Sequence, residues 1–358
     1  MDRVSIALPL CGLVAGLVLG YVARRNFFCT LSALEQYWYG GNSDGVRTWV
    51  LAAVAAATLT QIAAAAGFVD PTASFYLTPS LGLPAAVIGG LSFGFGMALI
   101  GTCGYGALVR LGGGSLKSLM AVLMLGLVAM STQRGLLALG RTEILEPLEF
   151  DLSFAGDQSL PSLVNALTGL DLTLVVTAAA IGLPAAWVFM DGGFRSNAKA
   201  IATGVTIGAV IAFGWIVTSA LRELSFDPVQ VESASYVTPV SDTILQFVAY
   251  TGTAPDYGVG LVVGTLLGAF IAAQQADDMR WEACDDAAEL SRHIIGAAMM
   301  GFGGVLALGC TIGQGVSAAS LLAVSAPVTM LSIAVGARMG LAWLLEGSVT
   351  APFRRFAE

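Results

Sequence analysis

Long apolar runs separated by short polar segments recur along the whole chain. Each run is close to the ~20 residues that an α-helix needs to cross a bilayer. The runs lie at residues 4–23, 48–69, 84–103, 115–138, 170–190, 200–221, 258–275, 293–309 and 321–345. The pattern predicts an all-α integral membrane protein with about nine transmembrane helices, embedded in the lipid bilayer.

The composition is that of a chain that faces lipid. Of 358 residues, 56% are hydrophobic and only 11% are Asp, Glu, Lys or Arg, against about 25% in typical soluble domains. This excludes most water-soluble enzyme classes, and a net charge of -8 argues against a nucleic-acid partner. Five cysteines and one histidine do not readily supply the ligand clusters of metal or redox centres, so we expect no cofactor and no metal ion.

The basic residues predict an orientation, because loops kept in the cytoplasm are enriched in Lys and Arg. With the N-terminus outside, eleven of the 16 Lys and Arg residues lie on the inner side. Two long outer connections, 139–169 and 222–257, are then acidic. We expect a multi-pass protein of the bacterial inner membrane with a cytoplasmic C-terminus.

A thirteen-residue pattern occurs twice in the chain. Residues 94–106 and 301–313 both read GFGxxLxxxCxxG, with six identities over thirteen positions at a constant offset of 207. In the predicted orientation the two copies run in opposite directions, which is an inverted repeat of broken or re-entrant helices, a common construction of secondary transporters. We predict a first membrane half at 1–140, an acidic extracytoplasmic connection at 141–169 and an inverted second half at 170–358.

The candidate site lies where the repeated segments predict interrupted helices. A broken helix offers unpaired N–H groups and a positive dipole end to an anion, and glycine allows close approach to the backbone. A neutral thiol adds a weak hydrogen-bond donor. A third thiol follows the first span, in a stretch that could turn back into the protein. The predicted binding residues are Cys29, Cys103, Cys310, Gly101, Gly104, Gly106, Gly309, Thr311, Gly313 and Gln314.

Other charged and cysteine residues have competing interpretations. Arg110, Lys117 and Arg338 could guide an anion, although positive-inside topology also explains the first two, and Arg338 could instead extend to an interface. Cys11 is interpreted as a packing residue. Cys284 is interpreted as a surface residue, with a redox or docking role as the less favoured alternative.

The motifs GFGMALIGTCGYGALVRLGGGSLKSL (94–119), GFGGVLALGCTIGQGVSAAS (301–320) and RRNFFCTLSALE (24–35) resemble the YeeE/YedE family of sulfur-compound transporters. The resemblance implies a central path lined by three cysteines, which correspond to Cys29, Cys103 and Cys310. It implies thiosulfate as the first choice of substrate and leaves other sulfur or selenium compounds open. It also implies a small TusA-like sulfur carrier as a candidate cytoplasmic partner, which we expect to be a separate polypeptide.

Two other classes of function stay open at this point. One is a membrane-bound sulfurtransferase that forms a persulfide on Cys29 or Cys284. The other is a structural or regulatory subunit without a pathway of its own. We expect a transporter of thiosulfate or a related small sulfur anion, not an enzyme.

Overall fold

Regular structure in this protein is almost entirely helical. A computed structural model of the chain describes residues 3–225, 229–252 and 254–349. Its α-helices are α1 Arg3–Asn26, α2 Thr30–Gly40, α3 Asp44–Ala65, α4 Leu83–Ile100, α5 Gly104–Gly112, α6 Leu116–Arg134, α7 Leu136–Gly140, α8 Leu160–Thr168, α9 Thr173–Phe189, α10 Gly192–Ser196, α11 Ala198–Leu224, α12 Val237–Val248, α13 Tyr257–Gln275, α14 Ala287–Leu306 and α15 Ser325–Glu346. Two-residue strands, β1 Ser80–Leu81 and β2 Phe150–Asp151, pair antiparallel.

The long helices are apolar enough to span a membrane, which confirms the predicted all-α membrane class. Seven segments within the described residues meet the length and composition of a span: Val4–Gly40, Asp44–Ala65, Leu83–Gly112, Leu116–Arg134, Ala198–Leu224, Tyr257–Gln275 and Ser325–Glu346. The shorter α9 is also apolar. All nine predicted apolar runs coincide with helices. The number of spans stays a prediction, because α9 has 17 residues and α14 begins with a charged turn.

The closest packing joins α1 to α13. Glycines of one helix face backbone carbonyls of the other, so that an added Cβ would lie only 1.9 to 2.2 Å from a carbonyl oxygen. Small residues allow such backbone contact between helices in a bilayer. The glycines are Gly12, Gly16, Gly20, Gly260, Gly264 and Gly268.

The helix pairings of the two halves correspond to each other. α1 packs on α13 and α11 packs on α3, while α4 packs on α15 and α14 packs on α6. α4 and α14 also contact each other directly. α2 begins at Thr30 and α12 at Val237, exactly the offset of 207 residues that separates the two sequence motifs. We infer that the repeat extends beyond the motifs to six helical elements in each half.

The segment 141–169 contacts both predicted halves. The N–H of Leu152 donates to Pro79 O at 2.8 Å, and the N–H of Leu160 donates to Leu322 O at 2.9 Å. The division into two halves with an extracytoplasmic connection stays a prediction. Its outer ends, residues 1–2 and 350–358, lie outside the described residues.

Candidate functional site

Both helices of the repeated motif end inside the protein. α4 is followed by Gly101, which has a φ of 78°, and α14 is followed after one residue by Leu308 and Gly309 with φ values of 56° and 156°. Positive φ is readily adopted by glycine, which explains the glycines at these two turns. The chain restarts as α5 in the first half and as a helix over 311–320 in the second, whose middle is the π-helix Gly313–Ala318. Two helix N-termini are thereby buried among the long helices.

Cys103 and Cys310 cap these two buried N-termini. The Sγ of Cys103 accepts a hydrogen bond from the N–H of Gly106 at 3.5 Å, and the Sγ of Cys310 accepts one from Gly313 at 3.4 Å. The two cysteines are 1% and 0% exposed. A side-chain acceptor three residues before its donor is the geometry of a helix N-cap, which explains the CxxG spacing of both motifs. Because each sulfur accepts, its own hydrogen stays available to a ligand.

Cys29 extends this pair to a series of three thiols. It immediately precedes α2 in an extended conformation, and its Sγ lies 3.8 Å from the Oγ1 of Thr102. Thr102 is 1% exposed and adjoins Cys103 in sequence. The Cys103 thiol is within electrostatic range of both Cys29 and Cys310 and lies close to the hydroxyl of Thr311. The structure therefore brings the three predicted cysteines together.

A cavity opens at each end of this thiol series. The first, of about 230 Å³, is lined by Cys29 together with the polar side chains of Gln36 and Lys199. The second, also about 230 Å³, is lined by Leu308 and Gln314, which flank Cys310 in sequence. Cys103 and Cys310 are the buried part between them.

Three buried polar atoms without hydrogen-bond partners lie at the second helix break, between α14 and the helix over 311–320. The Tyr76 hydroxyl, the Thr311 Oγ1 and the Gln314 Oε1 have no hydrogen-bond partner among the described residues, and all three residues are at most 1% exposed. The Nε2 of Gln314 donates to Ala307 O at 2.6 Å, which fixes the direction of its amide. The Tyr76 hydroxyl lies close to Gly309, where an added Cβ would be 3.3 Å away. Buried polar atoms without partners are costly, so this arrangement fits a polar ligand.

The remaining predicted glycines line the restarted helices. Gly104, the first residue of α5, packs against the side chain of Leu125, and Gly106 packs directly against the side chain of Thr102. Gly313 lies under Ser235, where an added Cβ would be 2.7 Å from the hydroxyl oxygen. These glycines keep the first turns of both helices free of side chains.

Arg110 and Lys117 lie near the first break but are engaged by protein groups. Arg110 donates to the carbonyl oxygen of Gly101 at 2.8 Å, and the Nζ of Lys117 lies 3.4 Å from a Glu289 carboxylate oxygen. Both side chains line a cavity of about 320 Å³ together with Arg24. Arg110 thus supports the turn at the end of α4.

Arg338 packs against aromatic rings at the end of α2. Its guanidinium carbon lies 5.1 Å from the ring centre of Trp38 and 4.7 Å from that of Tyr39. Such cation–π contacts are favourable and anchor one helix to another. This observation favours a packing role for Arg338.

Two tyrosines that lie near the cysteines are not among the predicted binding residues. Tyr236 lies 207 residues after Cys29 and immediately before α12, so the repeat itself could have indicated it. Its hydroxyl contacts Thr265 Oγ1 at 2.9 Å, and its ring packs on Tyr105 with centroids 4.7 Å apart. Tyr76 carries no sequence signal, because a segment outside the repeat brings it to the site.

Broken helices whose buried N-termini meet between two cavities define a multi-pass helical membrane protein of the transporter class. The chain belongs to the Sulphur transport family, whose model matches residues 25–339. The resemblance to YeeE/YedE proteins is thereby confirmed, and sulfur-compound transport is the function that this membership supports.

Two relatives cover nearly the whole chain. The Thiosulfate transporter TsuA of Escherichia coli (strain K12) is 28% identical over 319 residues, which are 86% of each chain. The Thiosulfate transporter TsuA of Spirochaeta thermophila (strain ATCC 700085 / DSM 6578 / Z-1203) is 24% identical over 346 residues, which are 93% of this chain and 98% of the relative.

Proposed function

We propose that this protein takes up thiosulfate through the series Cys310, Cys103 and Cys29, with the N-terminus outside the bacterial inner membrane and the C-terminus in the cytoplasm. The observation that carries the proposal is the arrangement of three thiols between two cavities, two of them at buried helix N-termini. The names of the two relatives support the choice of substrate.

The chemistry of thiosulfate suits these groups. The ion has one soft terminal sulfur and three hard oxygens, and it carries two negative charges near neutral pH. Thiols and backbone N–H groups donate weakly to such an ion, and the buried ends of α5 and the helix over 311–320 contribute positive dipole ends. Weak donors in series let an ion enter and leave, whereas one strong site would retain it.

The unpaired groups at the second break extend the path toward its cavity. The hydroxyls of Thr311 and Tyr76 lie near Cys310 and can donate to oxygens of the anion before its sulfur reaches the thiol, whereas the unpaired Oε1 of Gln314 is an acceptor. At the other end, Lys199 lines the cavity next to Cys29 and attracts an anion there, while the carboxylate of Asp44 in the same cavity opposes it.

A TusA-like carrier is the partner that we propose for the cytoplasmic side. The cavity beside the break after α4 supports exit toward that side, because Arg24, Arg110, Lys117 and Arg280 line it with only two carboxylates, Asp278 and Glu282. Cations near an exit raise the local concentration of a leaving anion.

Loss of either buried thiol is expected to stop uptake. Purified protein reconstituted in liposomes should move radiolabelled thiosulfate, and Cys103→Ala or Cys310→Ala should lower the initial rate by about tenfold or more, since each removes the thiol that caps the buried helix N-terminus at its break. Cys11→Ala is the matched control, because Cys11 lies in α1 and packs against the core. Parental rates in both buried-thiol variants would contradict the relay.

Mass spectrometry after exposure to thiosulfate separates transport from sulfur transfer. A path made of hydrogen bonds leaves all cysteines unmodified. A stable mass increase of one sulfur on Cys29 or Cys284 would instead indicate a membrane-bound sulfurtransferase.

A further inference from the structure

An apolar cavity lies between α3, α9, the first turns of α15 and the helix over 311–320. Its volume is about 370 Å³, larger than the two cavities at the ends of the thiol series. One face of α3 lines it, with Trp49, Val50, Ala53, Val54 and Ala57. The path proposed for the anion makes no use of this cavity.

The cavity lies at the depth of the hydrocarbon core. α3 is apolar enough to span a membrane, and Ala53 and Val54 are the tenth and eleventh of its 22 residues. The wall formed by α9 is apolar as well, and α9 packs on α3. Halfway along a spanning helix, lipid tails surround the protein wherever no other helix covers it.

The cavity is open to the lipid around the protein. Among the residues that line it, Leu160 and Pro327 are exposed, and Ile181 and Met330 are half-buried. α9 is held mainly by α3 and by the short helices α8 and α10. A flexible chain can therefore enter beside α9 without displacing a long helix.

Water and anions find no partners in this cavity. Among the described residues that line it, only Trp49 carries a side-chain nitrogen or oxygen, and its Nε1 already donates to Thr30 Oγ1 at 3.2 Å. In the adjoining turn, the N–H of Val324 donates to Gln158 O at 3.0 Å. A buried water needs two to four polar partners, and an apolar cavity without them stays dry.

The volume suits a single hydrocarbon chain. An apolar cavity of about 150 Å³ is large enough to bind benzene, so by the same ratio this cavity accommodates roughly 15 carbon atoms. An α-helix with its side chains is about 10 Å across and would not fit without separating α9 from α3. Of the partners that a membrane offers, an acyl chain therefore fits best.

Trp49 connects this cavity to the thiol series. Its ring packs on the backbone of Gly315 so closely that no Cβ could be added there, and Gly315 belongs to the π-helix that follows Cys310. Its indole N–H holds Thr30, the first residue of α2, directly after Cys29. A ring that borders empty space can turn into it, whereas a chain in the cavity keeps the indole in place.

We propose that this cavity binds one acyl chain of a membrane phospholipid, packed between α3 and α9 and against the Trp49 indole. The chain is held by dispersion contacts with apolar side chains, and no covalent bond forms or breaks. The inference goes beyond the proposed function, because it holds whichever anion the protein carries. It assigns Trp49 the role of a positioning residue, set by the lipid on one side and contacting both ends of the thiol series on the other.

Photolabelling of the full-length protein in liposomes tests this proposal. The liposomes contain a phosphatidylglycerol with a diazirine in the middle of one acyl chain, and labelled peptides are identified by mass spectrometry. Label should concentrate on the cavity-lining residues of α3 and on Met330. Ala180→Leu places a larger side chain in the cavity and should reduce labelling of α3 by about fivefold or more, because a close-packed interior leaves no room for both.

The matched control changes the neighbouring alanine of the same helix. Ala179 is exposed and lies outside the cavity lining, so Ala179→Leu should leave the labelling of α3 unchanged. Label spread evenly over the exposed faces of the helices, or unchanged in Ala180→Leu, overturns the proposal. Absence of label together with crosslinks between two copies through α9 would show that a second copy covers the cavity, and this also overturns it.

A second measurement needs no cavity-filling variant. Bromine on a lipid chain quenches tryptophan fluorescence at close contact. In bilayers of phospholipid brominated in the middle of its chains, the emission of Trp49, taken as the difference between the parental protein and Trp49→Phe, should be strongly quenched. Unquenched Trp49 emission contradicts a bound chain. Neither measurement involves thiosulfate, so failure of the proposed function would be recognised separately, by the absence of uptake.

Discussion

Gly106→Ala is expected to reduce thiosulfate uptake by about tenfold or more, since ångström-scale displacements of positioned groups have effects of this size. An added Cβ would lie 2.1 Å from the Oγ1 of Thr102, so the threonine must turn away. That hydroxyl lies 3.8 Å from the Sγ of Cys29 and next to Cys103. Its rotation therefore disturbs the contact between two of the three thiols. The measurement is initial uptake into liposomes at equal amounts of folded protein.

A second substitution tests this explanation. Removing the Thr102 hydroxyl in Gly106→Ala/Thr102→Ala leaves the nearest remaining atom of Thr102 at 3.5 Å, which is an ordinary contact. The double variant should then transport as well as Thr102→Ala alone. Gly140→Ala controls for the glycine-to-alanine change itself, since nothing lies within 4 Å of its added Cβ. A double variant as inactive as Gly106→Ala would show that crowding is not the cause.

The long helices could be predicted from the sequence because their apolar runs match the thickness of a bilayer. The short helices α2, α5 and α12 could not, because an apolar segment of half that length has no periodicity that separates it from a loop. The acidic stretch 222–257 was predicted to be an outer connection. Its outer position stays a prediction, and within this stretch Tyr236 is fully buried because the apolar residues around it enter the core.

The candidate site was predictable only where the repeat marks it. Cys103 and Cys310 stand out because cysteine and glycine recur in register, and the reason for the register is the hydrogen bond from each following glycine to the thiol. Gln314 immediately follows the second copy of this motif in the sequence. Tyr76 joins the site through tertiary contacts between distant segments, which leave no local pattern in the sequence. The sequence identifies Arg338 only as an intramembrane charge. Its contacts with Trp38 and Tyr39 depend on the tertiary fold.

Gly264→Ala is expected to prevent normal folding. An added Cβ would lie 2.2 Å from the carbonyl oxygen of Leu13, and both atoms belong to helix backbones that cannot rotate away. α1 and α13 would have to separate along their whole contact, at a cost of about 3 kcal/mol or more, the upper range for overpacking a core. Thermal unfolding in detergent should show a large decrease in melting temperature, with little monodisperse protein recovered.

The control for this variant lies in a helix without such contact. Gly182 is in α9, and nothing lies within 4 Å of its added Cβ, so Gly182→Ala should melt at or slightly above the parental temperature because alanine favours helix by about 1 kcal/mol. Equal melting temperatures for the two variants would mean that α1 and α13 do not touch through their backbones. A lower melting temperature for Gly264→Ala than for Gly182→Ala would show that the backbone contact between α1 and α13, one of several helix pairs that join the two halves, contributes strongly to the stability of the fold.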